Sequence, residues 1–124
     1  PIQYALTWPH RLPLNNRKLN FADLAKMTFY APDKEKFPAL ELAYRSLEKG
    51  GNMACIMNAA NEAAVAAYLR DEIGFYDITD IVAECMDGAD FAANPDIETI
   101  FSSNESAYAM ACELIRRKSS KKSF

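Results

Sequence analysis

The fold is decided by residues 50–69, which read GGNMACIMNAANEAAVAAYL. Within Met53–Leu69 only Asn58, Asn61 and Glu62 are polar, so apolar side chains fall on almost every side of a helix with 3.6 residues per turn. Seven alanines and the absence of proline favour a helix here. The stretch therefore predicts a central helix that ends near Gly74 and that other elements surround.

Three further helices are predicted from apolar side chains that recur at helical spacing. Their apolar faces are Leu40, Ala43, Tyr44 and Leu47 in the first, Ile78, Ile81, Val82, Cys85 and Met86 in the second, and Ala107, Ala111, Leu114 and Ile115 in the last. Asp77 is the predicted cap of the second, and the last is predicted to start from Ser102, with Glu105 completing a capping box, or from Asn104. Four helices with short connections predict an all-α fold, a small antiparallel bundle of about four helices.

Residues 1–36 are predicted to form an extended, partly helical arm before the bundle. A short helix ends at Pro9, a helical turn over 21–27 has Asn20 as its cap, and residues 27–30 have the composition of a strand. The arm carries large aromatic side chains but little core of its own. It is therefore expected to lie on a partner surface.

Composition describes one ordinary globular domain of 124 residues. A net charge of -3 spread over mixed signs gives no reason to expect nucleic acid or a membrane as partner, and no apolar run is clean enough for a confident transmembrane span. Cys55, Cys85 and Cys112 each lie in an apolar run, which favours small buried side chains in a reducing compartment over disulfides or metal ligands. Because the first residue is Pro1 and no signal or transit pattern follows, we expect a piece of a longer chain.

Residue chemistry identifies no catalytic, cofactor-binding or metal-binding set. His10 is the only histidine, and neither a nucleophile nor an orienting third group can be assigned to it. The acidic pairs Asp71–Glu72 and Asp77/Asp80 match neither a calcium loop nor a zinc pattern. The four glycines form no phosphate-binding loop.

The polar residues of the central helix are the one remaining candidate site. Asn58, Asn61 and Glu62 share one side of the helix at i, i+3 and i+4. Buried amides must be hydrogen-bonded, so these residues are predicted to act as a structural polar clamp on a loop or on the backbone of a neighbouring domain. A ligand site is the other interpretation.

Several stretches, in one order and at matching intervals, resemble the 1-deoxy-D-xylulose 5-phosphate reductoisomerase family. They are PIQYALTWPHR at 1–11, LNF at 19–21, TFYAPD at 28–33, FPAL at 37–40, MNAANE at 57–62 with AVAAYL at 64–69, and FYDI at 75–78. The resemblance covers about residues 1–85. Motifs that recur together in order are much more specific than any one of them.

The resemblance implies that this chain is the C-terminal third of such an enzyme. Residues 1–12 correspond to the end of the central catalytic domain, 13–36 to a linker arm, 37–118 to the C-terminal helical bundle and 119–124 to a disordered tail. The family's nicotinamide-binding glycines, its acidic metal ligands and its substrate-binding side chains all precede the equivalent of the first residue. The parent enzyme is thus expected to use NADPH and a divalent metal (Mg or Mn), neither bound by this piece, which is expected to be inactive alone.

The family's activity and setting follow from the same resemblance. The parent isomerises and reduces 1-deoxy-D-xylulose 5-phosphate to 2-C-methyl-D-erythritol 4-phosphate in the non-mevalonate isoprenoid pathway. The expected partner is the rest of the same polypeptide, in a homodimer located in the bacterial cytoplasm or in a plastid-type organelle. The alternative is a stand-alone helical interaction module, against which the exposed aromatic side chains of the arm argue. An independent small enzyme is disfavoured because no acid–base or metal set is present.

Overall fold

Six α-helices run through the computed structural model, which describes residues 2–16 and 19–122. They are α1 (Ile2–Thr7), α2 (Phe21–Leu24), α3 (Ala39–Lys49), α4 (Met53–Leu69), α5 (Phe75–Gly88) and α6 (Ile97–Lys122). The chain divides into two units, Pro1–Ala31 with α1 and α2, and Pro32–Phe124 with the four longer helices. The predicted all-α fold, a four-helix bundle preceded by a partly helical arm, is confirmed.

α4 is the centre of the bundle and contacts α3, α5 and α6. Its buried side chains are Met53, Ile56, Ala59, Ala60, Ala63, Ala64 and Ala67, and the core is completed by Ile73, by Ile81, Val82, Cys85 and Met86 of α5, and by Ala107, Ala111 and Ile115 of α6. Alanine makes up most of the buried side of α4, which allows its neighbours to pack close to its axis. The predicted central helix is confirmed, but it ends at Leu69 rather than near Gly74.

The predicted buried face of α3 is wrong. Tyr44 and Leu47 are 52% and 77% exposed, and Ala43 is exposed as well. α3 instead turns Ser46, which is buried, and Leu42, which packs against the core, toward the bundle. A small side chain such as Ser46 lets the two helices approach, whereas the larger apolar side of α3 faces outward.

α5 begins two residues before its predicted cap. Gly74 is the N-cap, and the Asp77 carboxylate, three residues on, accepts the Gly74 N–H at 2.7 Å. A carboxylate at this third position reaches back to the cap, which is the reciprocal half of a capping box. Asp77 therefore serves the N-terminus of α5 from inside the helix.

α6 is a single helix of 26 residues that begins at Ile97, before either of its predicted starts, Ser102 and Asn104. Its start is set by Asp96, whose carboxylate accepts the Thr99 N–H at 2.7 Å. Ser102 does not cap a helix, since its hydroxyl donates to the Thr99 carbonyl at 3.1 Å within the same helix. At the other end the helix continues through Lys122, where a disordered tail was predicted from 119, and residues 123–124 of that tail lie outside the described part.

The N-terminal unit carries two short helices. α1 confirms the helix predicted before Pro9, and the Tyr4 and Trp8 rings make a T-shaped contact with their centroids 5.5 Å apart. α2 has the predicted cap, because Asn20 Oδ1 accepts the Ala22 N–H at 3.0 Å, but it ends at Leu24. Residues 27–30 form no strand, since no strand lies beside them in the ranges 2–16 and 19–122.

Candidate functional site

Several acidic side chains of the bundle form ion pairs with basic side chains of the same chain. Lys118 Nζ lies 3.0 Å from both Asp77 and Asp80, and Arg70 Nε lies 2.7 Å from Glu72. Burial opposes the charge of Lys118, but hydrogen bonds to the two aspartates outweigh it, so the pKa of Lys118 is raised. Among the residues that the structure describes, no three His, Cys, Asp or Glu side chains form a group that could hold a metal ion.

The polar residues predicted as a clamp lie on an exposed side of α4. Asn58, Asn61 and Glu62 are all exposed, and the Asn58 amide donates to the Glu62 carboxylate at 3.4 Å. The structure thus brings Asn58 and Glu62 together, whereas Asn61 is exposed on the same side of the helix. The burial assumed for these amides is not found within this chain, so a clamp on a neighbouring domain stays a prediction.

Asn52, which was not among the residues predicted from sequence, is a buried amide that hydrogen-bonds between elements of the bundle. It is 1% exposed, and its Nδ2 donates to the Asp90 carbonyl at 3.0 Å and to Ser103 Oγ at 2.8 Å. Its Oδ1 accepts the Ala92 N–H at 2.9 Å, and its own N–H donates to the Ala92 carbonyl at 3.1 Å. Asn52 therefore joins the start of α4, the α5–α6 connection and α6.

An apolar groove opens between the starts of α3 and α5 and the middle of α4. Its volume is about 240 Å³, and it is lined by Lys36, Phe37, Pro38, Ala39, Asn61, Val65, Phe75, Tyr76, Ile78 and Thr79. Phe37, Phe75 and Tyr76 are more than half exposed, at 54%, 58% and 58%. Asn61, from the predicted polar set, thus lies on the wall of this groove.

A second cavity, of about 250 Å³, lies beside Asn52, and its lining includes Thr99, Ser102, Ser103 and Ser106. Two of its lining residues, Asn52 and Ser103, are hydrogen-bonded to each other. This cavity therefore belongs to the polar contact that closes the bundle.

The three cysteines are free thiols. Cys85 is fully buried, and burial, with a smaller contribution from Glu84, raises its pKa to about 11. Burial also raises the pKa of Cys55, whose Sγ lies 3.4 Å from the Ile100 carbonyl. Raised pKa values keep both thiols protonated near neutral pH, which suits packing rather than nucleophilic chemistry.

None of the helices in the described part of the chain has the length and apolar character that crossing a lipid bilayer requires.

Comparison with known proteins extends the resemblance beyond the motifs. Residues 1–110 match the family model of the DXP reductoisomerase C-terminal domain. A 1-deoxy-D-xylulose 5-phosphate reductoisomerase of Lachnospira eligens is 47% identical over 105 residues, covering 85% of this chain and 28% of that protein. The corresponding protein of Bacteroides fragilis is 42% identical over 115 residues, covering 93% of this chain and 30% of that protein.

Solved structures agree with the sequence comparison. The reductoisomerase of Zymomonas mobilis in complex with NADPH is 43% identical with a TM-score of 0.83, covering 92% of this chain and 30% of that one. A DOX-P reductoisomerase in complex with magnesium is 31% identical with a TM-score of 0.83, covering 93% of this chain and 31% of that one. This chain therefore spans about 30% of the length of the curated relatives that it matches. The family model covers most of its residues, and the chain belongs to the family of DXP reductoisomerase C-terminal domains.

Proposed function

We propose that this chain is the C-terminal supporting domain of a 1-deoxy-D-xylulose 5-phosphate reductoisomerase. The observation that carries the proposal is the match of residues 1–110 to the family model, joined to a TM-score of 0.83 against a reductoisomerase structure. The full-length enzyme would isomerise 1-deoxy-D-xylulose 5-phosphate and reduce it with NADPH to 2-C-methyl-D-erythritol 4-phosphate. The comparisons give no added support to a stand-alone interaction module.

NADPH and a divalent metal, Mg or Mn, would bind elsewhere in the full-length polypeptide. The residues of this chain do not fit either group: within the described ranges no three His, Cys, Asp or Glu side chains lie together as metal ligands would, and the sequence has no glycine-rich phosphate loop. We therefore assign this chain no catalytic, cofactor-binding or metal-binding residue. Its contribution is to support the catalytic part of the polypeptide through residues 1–12, the arm 13–36 and the bundle 37–118.

The full-length enzyme is further proposed to act as a homodimer in the cytoplasm of a bacterium. Light scattering of the purified full-length polypeptide tests the dimer, since a single species of one-subunit mass would contradict it.

The activity is tested by oxidation of NADPH, followed by its absorbance, when the full-length polypeptide is mixed with 1-deoxy-D-xylulose 5-phosphate and Mg²⁺ or Mn²⁺. We expect substrate-dependent oxidation that a chelator abolishes and none with the 124-residue chain alone. A full-length polypeptide that consumes no NADPH with this substrate and either metal would refute the proposal.

A further inference from the structure

One side of α4 is left uncovered by the bundle. The exposed positions Ala54, Asn58, Asn61, Glu62, Tyr68 and Leu69, with the half-buried Val65, fall on one stripe of the helix. The opposite side carries the buried alanines that face the other helices. α4 is thus apolar all round except for two amides and a carboxylate, and these stand on the side that α3, α5 and α6 leave exposed.

The groove continues this uncovered surface onto α3. Phe37 lines the groove just before α3 begins, and Leu40, Tyr44 and Leu47 share one side of that helix at i, i+4 and i+7. Of these, only Leu40 is partly buried. An amphipathic helix turns its apolar side toward a packed surface, and the packed surface for this side of α3 is not in the bundle.

The chemistry of this surface indicates an extended peptide as its occupant. A carboxamide offers both a donor and an acceptor, which match the N–H and C=O groups of a main chain that has no partner strand. Asn58 and Asn61 supply two carboxamides one helical turn apart, and Asn61 stands at the wall of a groove large enough for an apolar side chain. Small side chains such as Ala54 let a main chain approach the helix.

We propose that this surface, formed by the α4 stripe, the groove and the outward side of α3, binds an extended segment of the reductoisomerase polypeptide that precedes this domain. Asn58 and Asn61 hydrogen-bond to the main chain of that segment, and one of its apolar side chains fills the groove. The inference rests on the proposed function, and it names the partner contact through which the domain supports the enzyme.

The occupant is assigned to the same polypeptide for two reasons. This chain spans only about 30% of its relatives, so the larger part of such an enzyme is available to cover the surface. A segment tethered to the domain also competes at an effective concentration of about millimolar, far above that of a second copy in solution.

The test places a photoreactive benzoylphenylalanine at position 61 of the full-length polypeptide, in place of the asparagine, and maps the adducts by mass spectrometry after irradiation. Because a bulky probe at Asn61 can itself weaken docking, a second variant carries the probe at Leu47. The matched control carries it at Asn104, an exposed amide on α6 outside this surface. We expect adducts from positions 61 and 47 to segments upstream of this domain within one chain, and no such adduct from position 104.

Three results would overturn the proposal: no upstream adduct from either position, adducts confined to residues 2–31 of this chain, or adducts found only between two copies. Activity of the unsubstituted polypeptide is measured alongside. An active polypeptide without upstream adducts refutes the docking surface and leaves the proposed function intact. Upstream adducts in a polypeptide that consumes no NADPH refute the proposed function and leave the proposed docking contact supported.

Discussion

Truncation of the buried amide in Asn52→Ala is expected to destabilise the bundle by about 2–4 kcal/mol. The side chain is 1% exposed and takes part in three hydrogen bonds, at 2.8, 2.9 and 3.0 Å. At about 0.5–1.5 kcal/mol net for each bond the sum is about 1.5–4.5 kcal/mol. Water in the adjoining cavity can hydrogen-bond to part of the polar groups that lose their Asn52 partner, which disfavours the upper end of this energy range.

The Asn52→Asp variant separates two roles for the same residue. Asparagine directly before a helix is ordinarily a cap, and aspartate caps equally well. Here, however, the side chain makes no cap hydrogen bond to α4 and donates instead to the Asp90 carbonyl and to Ser103. A carboxylate cannot donate and would face the carbonyl oxygen, so Asn52→Asp is expected to be at least as costly as Asn52→Ala.

Equilibrium urea unfolding followed by far-UV circular dichroism measures both variants. With a slope of about 1–2 kcal/mol per molar urea, the midpoint should fall by about 1–4 M. Asn58→Ala is the matched control: it removes an exposed amide whose only described partner is 3.4 Å away, and its cost should stay below about 0.5 kcal/mol. Equal midpoints for the Asn52→Ala and Asn58→Ala variants, or an Asn52→Asp variant as stable as the parent, would refute the reasoning.

Three further predictions concern the packing of the bundle. Gly51→Ala should lower the free energy of unfolding by more than about 3 kcal/mol in thermal unfolding, because φ is +55° and the new Cβ would lie 2.2 Å from a backbone carbonyl oxygen. Gly50→Ala, where φ is +66° and the space around the new Cβ is open, should lower it by only about 1–3 kcal/mol. Since the pKa of Cys85 is about 11, above that of an unfolded thiol, the unfolded chain loses this proton first as the pH rises. The free energy of unfolding should therefore fall between about pH 9 and pH 11 by up to about 1.4 kcal/mol per pH unit. A Cys85→Ala variant whose free energy of unfolding falls with the same slope over that range would contradict this prediction. Lys118→Met should cost about 1–2 kcal/mol, because it leaves two aspartates without their shared cation, whereas Arg117→Met, which breaks an exposed 3.8 Å pair, should be within about 0.5 kcal/mol of the parent in urea unfolding.

The core faces of α4, α5 and α6 could be predicted from sequence because each is a local pattern. The spacing of Ile81, Val82, Cys85 and Met86 records a face that packs within this chain, and the structure buries all four. The start of α4 was predictable for the same reason, since glycines precede a run in which only three residues are polar, whereas its end at Leu69 comes before the predicted end near Gly74. Periodicity is sufficient where the partner of a face lies in the same unit.

The outward side of α3 shows where periodicity stops being sufficient. The spacing identifies Tyr44 and Leu47 correctly as one apolar side, but it does not specify what covers that side. The bundle packs on Leu42 and Ser46 instead. Apolar periodicity indicates that one face of a helix is buried, but it does not say which element buries it. A face that contacts another part of a polypeptide is therefore easily mistaken for part of the domain's own core.

The contact made by Asn52 could not be predicted because its partners are far away in sequence. Asp90 and Ser103 lie 38 and 51 residues beyond it. The local signal, an asparagine before a helix, predicts a cap that the side chain does not make. Only the three-dimensional arrangement shows that this amide, rather than Asn58 or Asn61, closes the bundle.

The contrast between these amides bears on function. Asn52 already satisfies the buried polar groups where α4 meets the α5–α6 connection, and the core is complete without Asn58, Asn61 or the outward side of α3. The internal packing of the unit therefore gives no reason for two amides and an apolar stripe on its outside. The charged groups of Lys118 and Arg70 form ion pairs with carboxylates of the same chain, so neither is placed to bind a substrate. The outer surface is therefore the means by which the proposed supporting domain would contact the rest of the enzyme and so act on catalysis.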